Sequence, residues 1–185
     1  TRRGFLCFQE EEAIAPSDPK SPLPDKDLGI KYLKQAIELK YKRAMKYLFD
    51  YYFREGHVDN NTEKAEQLAK EALNLGYKDL IYSLLRERYK YEPKKQMEIV
   101  KYLAEHDDSY YQYIYGNHLY HETNDSHDAF HYLKRAADNG NVLAMYKYGY
   151  YNLIGYADGH GSRDEGFKYL EKSARNGCLA ASYYL

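Results

Sequence analysis

HYLKRAADNGNVLAMYKYG, from His131 to Gly149, is the stretch on which the fold turns. An amphipathic run closes on a small pair, Ala136 and Ala137. Gly140 follows, and a second run starts with Ala144 on its inward face. FKYLEKSARNGCLAASYYL, from Phe167 to Leu185, repeats this almost position for position. Aligned on the glycine, the same slot holds Lys40, Gly76, Asp107, Gly140 and Gly177. The period is therefore roughly 31 to 37 residues, the range of two-helix repeats. Four residues upstream of the slot stand Ala36, Ala72, Leu103, Ala136 and Ser173, and seven upstream stand Leu33, Ala69, Val100, Leu133 and Leu170. Eight upstream are Tyr32, Leu68, Ile99, Tyr132 and Tyr169; four downstream are Ala44, Leu80, Tyr111, Ala144 and Ala181. Offsets of four, seven and eight lie on one helix face. Small residues there let helices approach closely, and glycine suits the left-handed conformation that ends a helix.

At these positions the chain resembles the Sel1-like repeat family, a relative of the tetratricopeptide repeat. The unit from Asn141 to Gly177 carries the pattern best, with Ala144, Gly149, Gly155, Asp164, Ser173-Ala174 and Gly177. The unit ending at Gly140 carries Gly116, Ala129 and Ala136-Ala137; the unit ending at Gly76 carries Ala44, Gly56, Lys64-Ala65 and Ala72. Residues 77–106 form a degenerate unit with a shortened loop at Glu92-Pro93. The resemblance covers about residues 28–185. It implies an all-α fold, an α-solenoid of antiparallel helix pairs in a right-handed superhelix. It also implies an adaptor or scaffold for other proteins, with no catalytic residues and no cofactor.

Composition agrees with a binding module. The 185 residues carry a formal net charge of −1 with both signs mixed, so there is no broad basic field for nucleic acid. Cys7 and Cys178 are the only cysteines, too few for a disulfide framework. Secreted relatives with cysteine pairs in every repeat are a poor match, and a cytoplasmic setting is favoured. No apolar run is long enough to span a membrane.

Residues 1–27 differ from the rest. Ala15-Pro16-Ser17-Asp18-Pro19 and Ser21-Pro22-Leu23-Pro24 cannot form a regular helix, so the segment reads as a linker or extended arm. Phe5, Leu6 and Phe8 are its apolar anchor if it packs on the first repeat. Helices are expected at about 28–39, 41–55, 62–75, 77–91, 93–105, 108–121, 125–138, 141–154, 163–175 and from 178 onward. Thr62 and Asp125 are candidate caps. Pro93 suits a first helical position, and Ser162 with Glu165 has the form of a capping box. The loop Gly155 to Gly161 is too glycine-rich to continue a helix. The chain stops inside an expected first helix with no polar cap, which points to a piece of a longer protein or an end covered by another chain.

Catalytic signatures are absent. His118 and His121, then His127 and His131, have helical spacing that could gather a zinc set. The same spacing describes surface histidines around a turn, and no bound metal is expected. The 24 tyrosines, against six phenylalanines and no tryptophan, are the better lead. Many fall on the first helices of repeats, which line the concave surface in tetratricopeptide-like solenoids. Adjacent residues point about 100° apart on a helix, so some rings must face outward. Tyr51, Tyr120 and Tyr151, late in three first helices, are the candidate partner-binding residues. The expected function is a protein-interaction scaffold. The alternative is a regulatory or substrate-docking segment of a larger multidomain enzyme.

Overall fold

The computed structural model describes residues 25–54, 61–123, 126–155 and 162–185. The expectations on the arm before residue 25, on Gly56, on Asp125 and on residues 156–161 lie outside them. The described residues are helical and contain no strand. The chain divides into two compact units, residues 1–88 and 89–185.

In the first unit α1 (Lys26–Glu38), α2 (Lys42–Phe53), α3 (Thr62–Asn74) and α4 (Asp79–Ser83) follow one another, and α4 is extended by a π-helical turn, Leu84–Arg88. Each helix packs on the next. In the second unit α5 (Pro93–Glu105) is followed by α6 (Ser109–His118), which a second π turn extends over Leu119–Thr123. Then come α7 (Ser126–Asp138), α8 (Val142–Leu153), α9 (Arg163–Arg175) and the short α10 (Leu179–Ser182). Consecutive helices again pack together, and α8 also touches α10.

The repeat register is visible in the backbone. All five residues of the glycine slot have positive φ, including Lys40 and Asp107 at 58°. At each slot the next residue's N–H returns to the carbonyl five positions back. Tyr41 bonds Ala36 at 2.9 Å, Tyr77 bonds Ala72 at 2.8 Å, and Asp108 bonds Leu103 at 3.3 Å. Asn141 bonds Ala136 at 2.9 Å and Cys178 bonds Ser173 at 3.1 Å. This is the Schellman closure, which satisfies carbonyls that the ending helix leaves open. The closure is kept even where lysine or aspartate bears the strain that glycine avoids.

Small residues then set how closely the helices meet. Ala36, Ala72, Ala136 and Ser173 are all at most 2% exposed. Where α8 crosses α9, Gly149 faces Gly166. A Cβ on Gly149 would stand 2.8 Å from the Gly166 carbonyl oxygen, and one on Gly166 would stand 2.9 Å from the Gly149 oxygen. Gly116 meets α7 in the same way, 3.0 Å from the Ala129 oxygen. In the first unit Phe49 fills that slot and is buried, so a Cβ-free crossing is not used there.

Several local expectations change. Asn61, not Thr62, caps α3, and its side chain accepts from the Lys64 N–H at 3.1 Å. Asparagine one residue earlier is the stronger cap, which leaves Thr62 as the first helical residue. Ser162 does cap α9, accepting from Glu165 N–H at 3.5 Å, and Pro93 does open α5. Of the Ser173-Ala174 pair, Ser173 is the buried member and donates to the Val142 carbonyl at 2.8 Å, while Ala174 is half-buried. Tyr111 is half-buried in the column that elsewhere holds the buried Ala44, Leu80, Ala144 and Ala181.

Beside Tyr111, Gln112 occupies the apolar position of Met45, Ile81 and Met145, and it is fully buried. Both ends of its amide have partners. It donates to Ala104 O and Asp107 Oδ1, each at 3.2 Å, and accepts from Asn139 Nδ2 at 3.0 Å. Arg135 donates to the same Asp107 oxygen at 2.6 Å and, with that hydrogen bond as the main cause, holds the Asp107 carboxyl below its usual range. One polar knot thus ties the α5–α6 turn to α7.

Candidate functional face

Counting from the glycine slot divides each first helix into two faces. On α8 the inward positions are Ala144, Met145, Tyr148, Gly149, Tyr151 and Asn152, all buried. The outward positions, three, six, seven and ten residues after the slot, are Leu143, Tyr146, Lys147 and Tyr150. On α6 the same offsets from Asp107 give Tyr110, Tyr113, Ile114 and Asn117. Tyr110 and Leu143 are 57% and 52% exposed, and the others are half-buried. Two neighbouring first helices therefore present one aromatic and aliphatic face.

Ring contacts hold this face in place from behind. Tyr146 and Tyr150 stack with centroids 6.2 Å apart, and Tyr184 lies 5.1 Å from Tyr150. Tyr113, Tyr120 and Tyr150 rest on the buried cluster that includes Met145, Tyr148 and Tyr151. Tyr148 meets Tyr169 edge-on at 4.9 Å, and burial pushes its hydroxyl up to about 12. Behind Tyr169, a hydrogen bond to Asp138 and one from Lys134 at 3.3 Å join α7 to α9.

Lys147 is the one ionised side chain among these eight. Its Nζ donates to the Asn117 side-chain oxygen, bridging α8 to α6. Burial alone lowers its pKa from the ordinary lysine value.

The three residues chosen from the sequence divide. Tyr51 and Tyr151 are only 6% and 7% exposed, so the expectation that they face outward is corrected. Both sit eleven residues after the slot, a position that turns inward on a helix. Tyr151 is hydrogen-bonded to Tyr120, and burial raises its hydroxyl's pKa well above the ordinary range. Tyr120 is half-buried and stacks on Tyr151 at 4.4 Å. It lies in the π turn that ends α6, where an i→i+5 turn shifts the facing residue by about one position. Tyr110, Tyr113, Tyr146 and Tyr150 are the outward rings. The signal that finds them is their offset from the turn, rather than their lateness in the helix.

Of the four histidines, His118 is half-buried and the other three are exposed. Among the described residues no three His, Cys, Asp or Glu side chains are grouped to hold a metal. No helix among them is long and apolar enough to cross a membrane.

The positive-φ turns, the small-residue crossings and the alternation of inward and outward faces define an all-α protein built of stacked two-helix repeats. A family model for the Sel1 repeat matches residues 20–41, 42–77, 109–141 and 142–178. The chain belongs to the Sel1 repeat family, whose members are generally protein–protein interaction modules and typically non-catalytic. The degenerate unit falls in the unmatched interval between 77 and 109. Two solved structures share the fold. One is a Sel1 repeat protein from Oxalobacter formigenes, with TM-score 0.56 and 24% identity. The other is a protective antigen of uropathogenic Escherichia coli that displays an SLR fold, with TM-score 0.52 and 18% identity. The matches cover 91% and 98% of this chain but 51% and 39% of theirs, so the chain spans about half the length of the first and less of the second. No curated protein matches it.

Proposed function

We propose that this chain is a non-catalytic scaffold that binds a protein partner on the outward face of α6 and α8. The observation that carries the proposal is the run of half-exposed tyrosines on adjacent first helices. Tyr113 and Tyr150 are amphipathic rings that rest on the buried cluster, and Tyr110 and Tyr146 are held against neighbouring rings, Tyr111 and Tyr150. Such rings bury large apolar area on binding at low entropic cost and carry a polar tip for hydrogen bonding. The first unit differs. Its equivalent positions on α2 are Arg43, Lys46, Tyr47 and Asp50, and on α4 and the π turn that extends it Asp79, Tyr82, Ser83 and Arg86. Charged residues of both signs stand there in place of the apolar ones, so the aromatic face belongs to the second unit.

Tyr120 extends this face at the end of α6, while Tyr51 and Tyr151 support it or its counterpart from within. A photo-crosslinking amino acid placed at Leu143 tests the reading, with one at Lys168 on α9 as control. Specific adducts with a protein in the native cell are expected from position 143 and not from 168. Equal labelling from both positions, or none from 143, refutes the assignment of this face.

A further inference from the structure

We propose that the face of α6 and α8 takes an extended acidic segment of the partner protein. In this arrangement an aspartate or glutamate of the segment pairs with Lys147, and its apolar neighbours lie on Tyr146 and Tyr150. This rests on the binding face proposed above and names its ligand chemistry.

The argument begins with what Lys147 lacks. The other half-buried cations among the described residues have acids beside them. Lys70 pairs with Glu66 at 2.6 Å, Lys134 with Asp138 at 3.0 Å, and Arg135 with Asp107 at 2.6 Å. Lys147 has the neutral amide of Asn117 and, among the described residues, no carboxylate within ion-pair distance. A charge held partly out of water without a counterion is costly, and a carboxylate brought to it recovers that cost. The Asn117 bond holds the ammonium between the two helices, so a ligand meets an ordered donor.

The surroundings decide what carries the carboxylate. Nucleic acid and anionic membranes are held by several cations together. This face has one cation, flanked by Tyr110, Tyr113, Leu143, Tyr146 and Tyr150, which favour apolar side chains. From Leu143 to Tyr150 the helix advances about 10 Å, the length of about three extended residues. One acid with an apolar residue on each side fits that length.

Selection of short random peptides, displayed internally so that no free C-terminus is presented, tests the proposal on the intact chain. The selected sequences are expected to share an Asp or Glu between apolar residues. Binding of a labelled representative should weaken about tenfold in Lys147→Met. Replacing the peptide's acid by its amide should weaken binding to the native chain equally and cause no further loss with Lys147→Met, the signature of a direct pair. Lys168→Met should leave binding unchanged. Thermal unfolding of Lys147→Met should show no loss of stability, because a desolvated charge has been removed.

Selected peptides that lack an acid, or an acidic peptide indifferent to Lys147→Met, overturn the inference. If Tyr150→Ala still abolishes binding in that case, the binding face itself stands. If Tyr150→Ala also has no effect, both proposals fall. Lys147-dependent binding of an oligonucleotide or of phosphatidylserine vesicles, in place of peptide, likewise overturns it.

Discussion

Gly149→Ala isolates the contact that sets the α8–α9 distance. Two effects oppose each other. Alanine is a better helix former than glycine by about 0.8–1.0 kcal/mol, so an exposed substitution would stabilise. Here the new Cβ would lie 2.8 Å from Gly166 O, 2.9 Å from Leu170 N and 3.0 Å from Leu170 Cγ. Two of the three are backbone atoms, which cannot rotate away. Relief requires the helices to separate by about half an ångström, and overpacking of this kind costs typically about 1–3 kcal/mol. Separation also loosens Tyr148 from Tyr169 and Ser173 from the Val142 carbonyl.

The overlap is with two backbone atoms at once, so the steric cost falls toward the upper part of that range. The net expectation is destabilisation of about 1–2 kcal/mol. In a unit of this size that lowers the midpoint by roughly 4–8 °C per kcal/mol. Chemical denaturation of native and variant chains gives the free energy and thermal unfolding the midpoint, both followed by far-ultraviolet circular dichroism. Gly166→Ala should cost a similar amount, and the double variant less than the sum, because one separation relieves both overlaps. A Gly149→Ala chain more stable by about 1 kcal/mol would show bare helix propensity and refute the close crossing.

Ala136→Leu, at a fully buried position, should cost about 1–3 kcal/mol in the same assay; an unchanged midpoint would contradict the repeat register. Tyr51→Ala and Tyr151→Ala should each destabilise by about 3 kcal/mol or more as large core truncations, whereas Tyr150→Ala should cost clearly less; equal losses would show that the inward and outward faces are misassigned. Burial raises the hydroxyl pKa of Tyr148 to about 12 in the folded chain, from the ordinary tyrosine value of 10.0. Its contribution is therefore complete below pH 10 and lost as pH rises toward about 12, so the stability of the native chain should fall relative to that of Tyr148→Phe across that window; parallel pH profiles would refute this. Elemental analysis of purified protein should find no stoichiometric zinc, and zinc lost on His127→Ala with His131→Ala would contradict that.

The repeat, its length and its helix order were legible in the sequence because they are local. The slot of Lys40, Gly76, Asp107, Gly140 and Gly177 marks a turn closed by hydrogen bonds within six residues. Periodic apolar positions such as Leu33, Leu133 and Leu170 report burial without reference to any partner helix. Even the substituted slots at Lys40 and Asp107 were placed correctly, since their neighbours in the pattern impose the turn.

Tertiary structure decided which tyrosines face outward and what Lys147 meets. Tyr150 and Tyr151 are adjacent and chemically identical, yet one is half-exposed and the other buried, because Tyr151 enters the core cluster beside Phe130 of α7 while Tyr150 only rests on its edge. Gly166 carried no signal of its own in the sequence; its role exists only because α8 brings Gly149 against it. The Lys147–Asn117 bond spans 30 residues, and the missing carboxylate beside it depends on every side chain that two separate helices bring near. Periodicity records which face of a helix is apolar. It does not record the neighbour's side chains, and that neighbour fixes the distance, the counterion and the exposure.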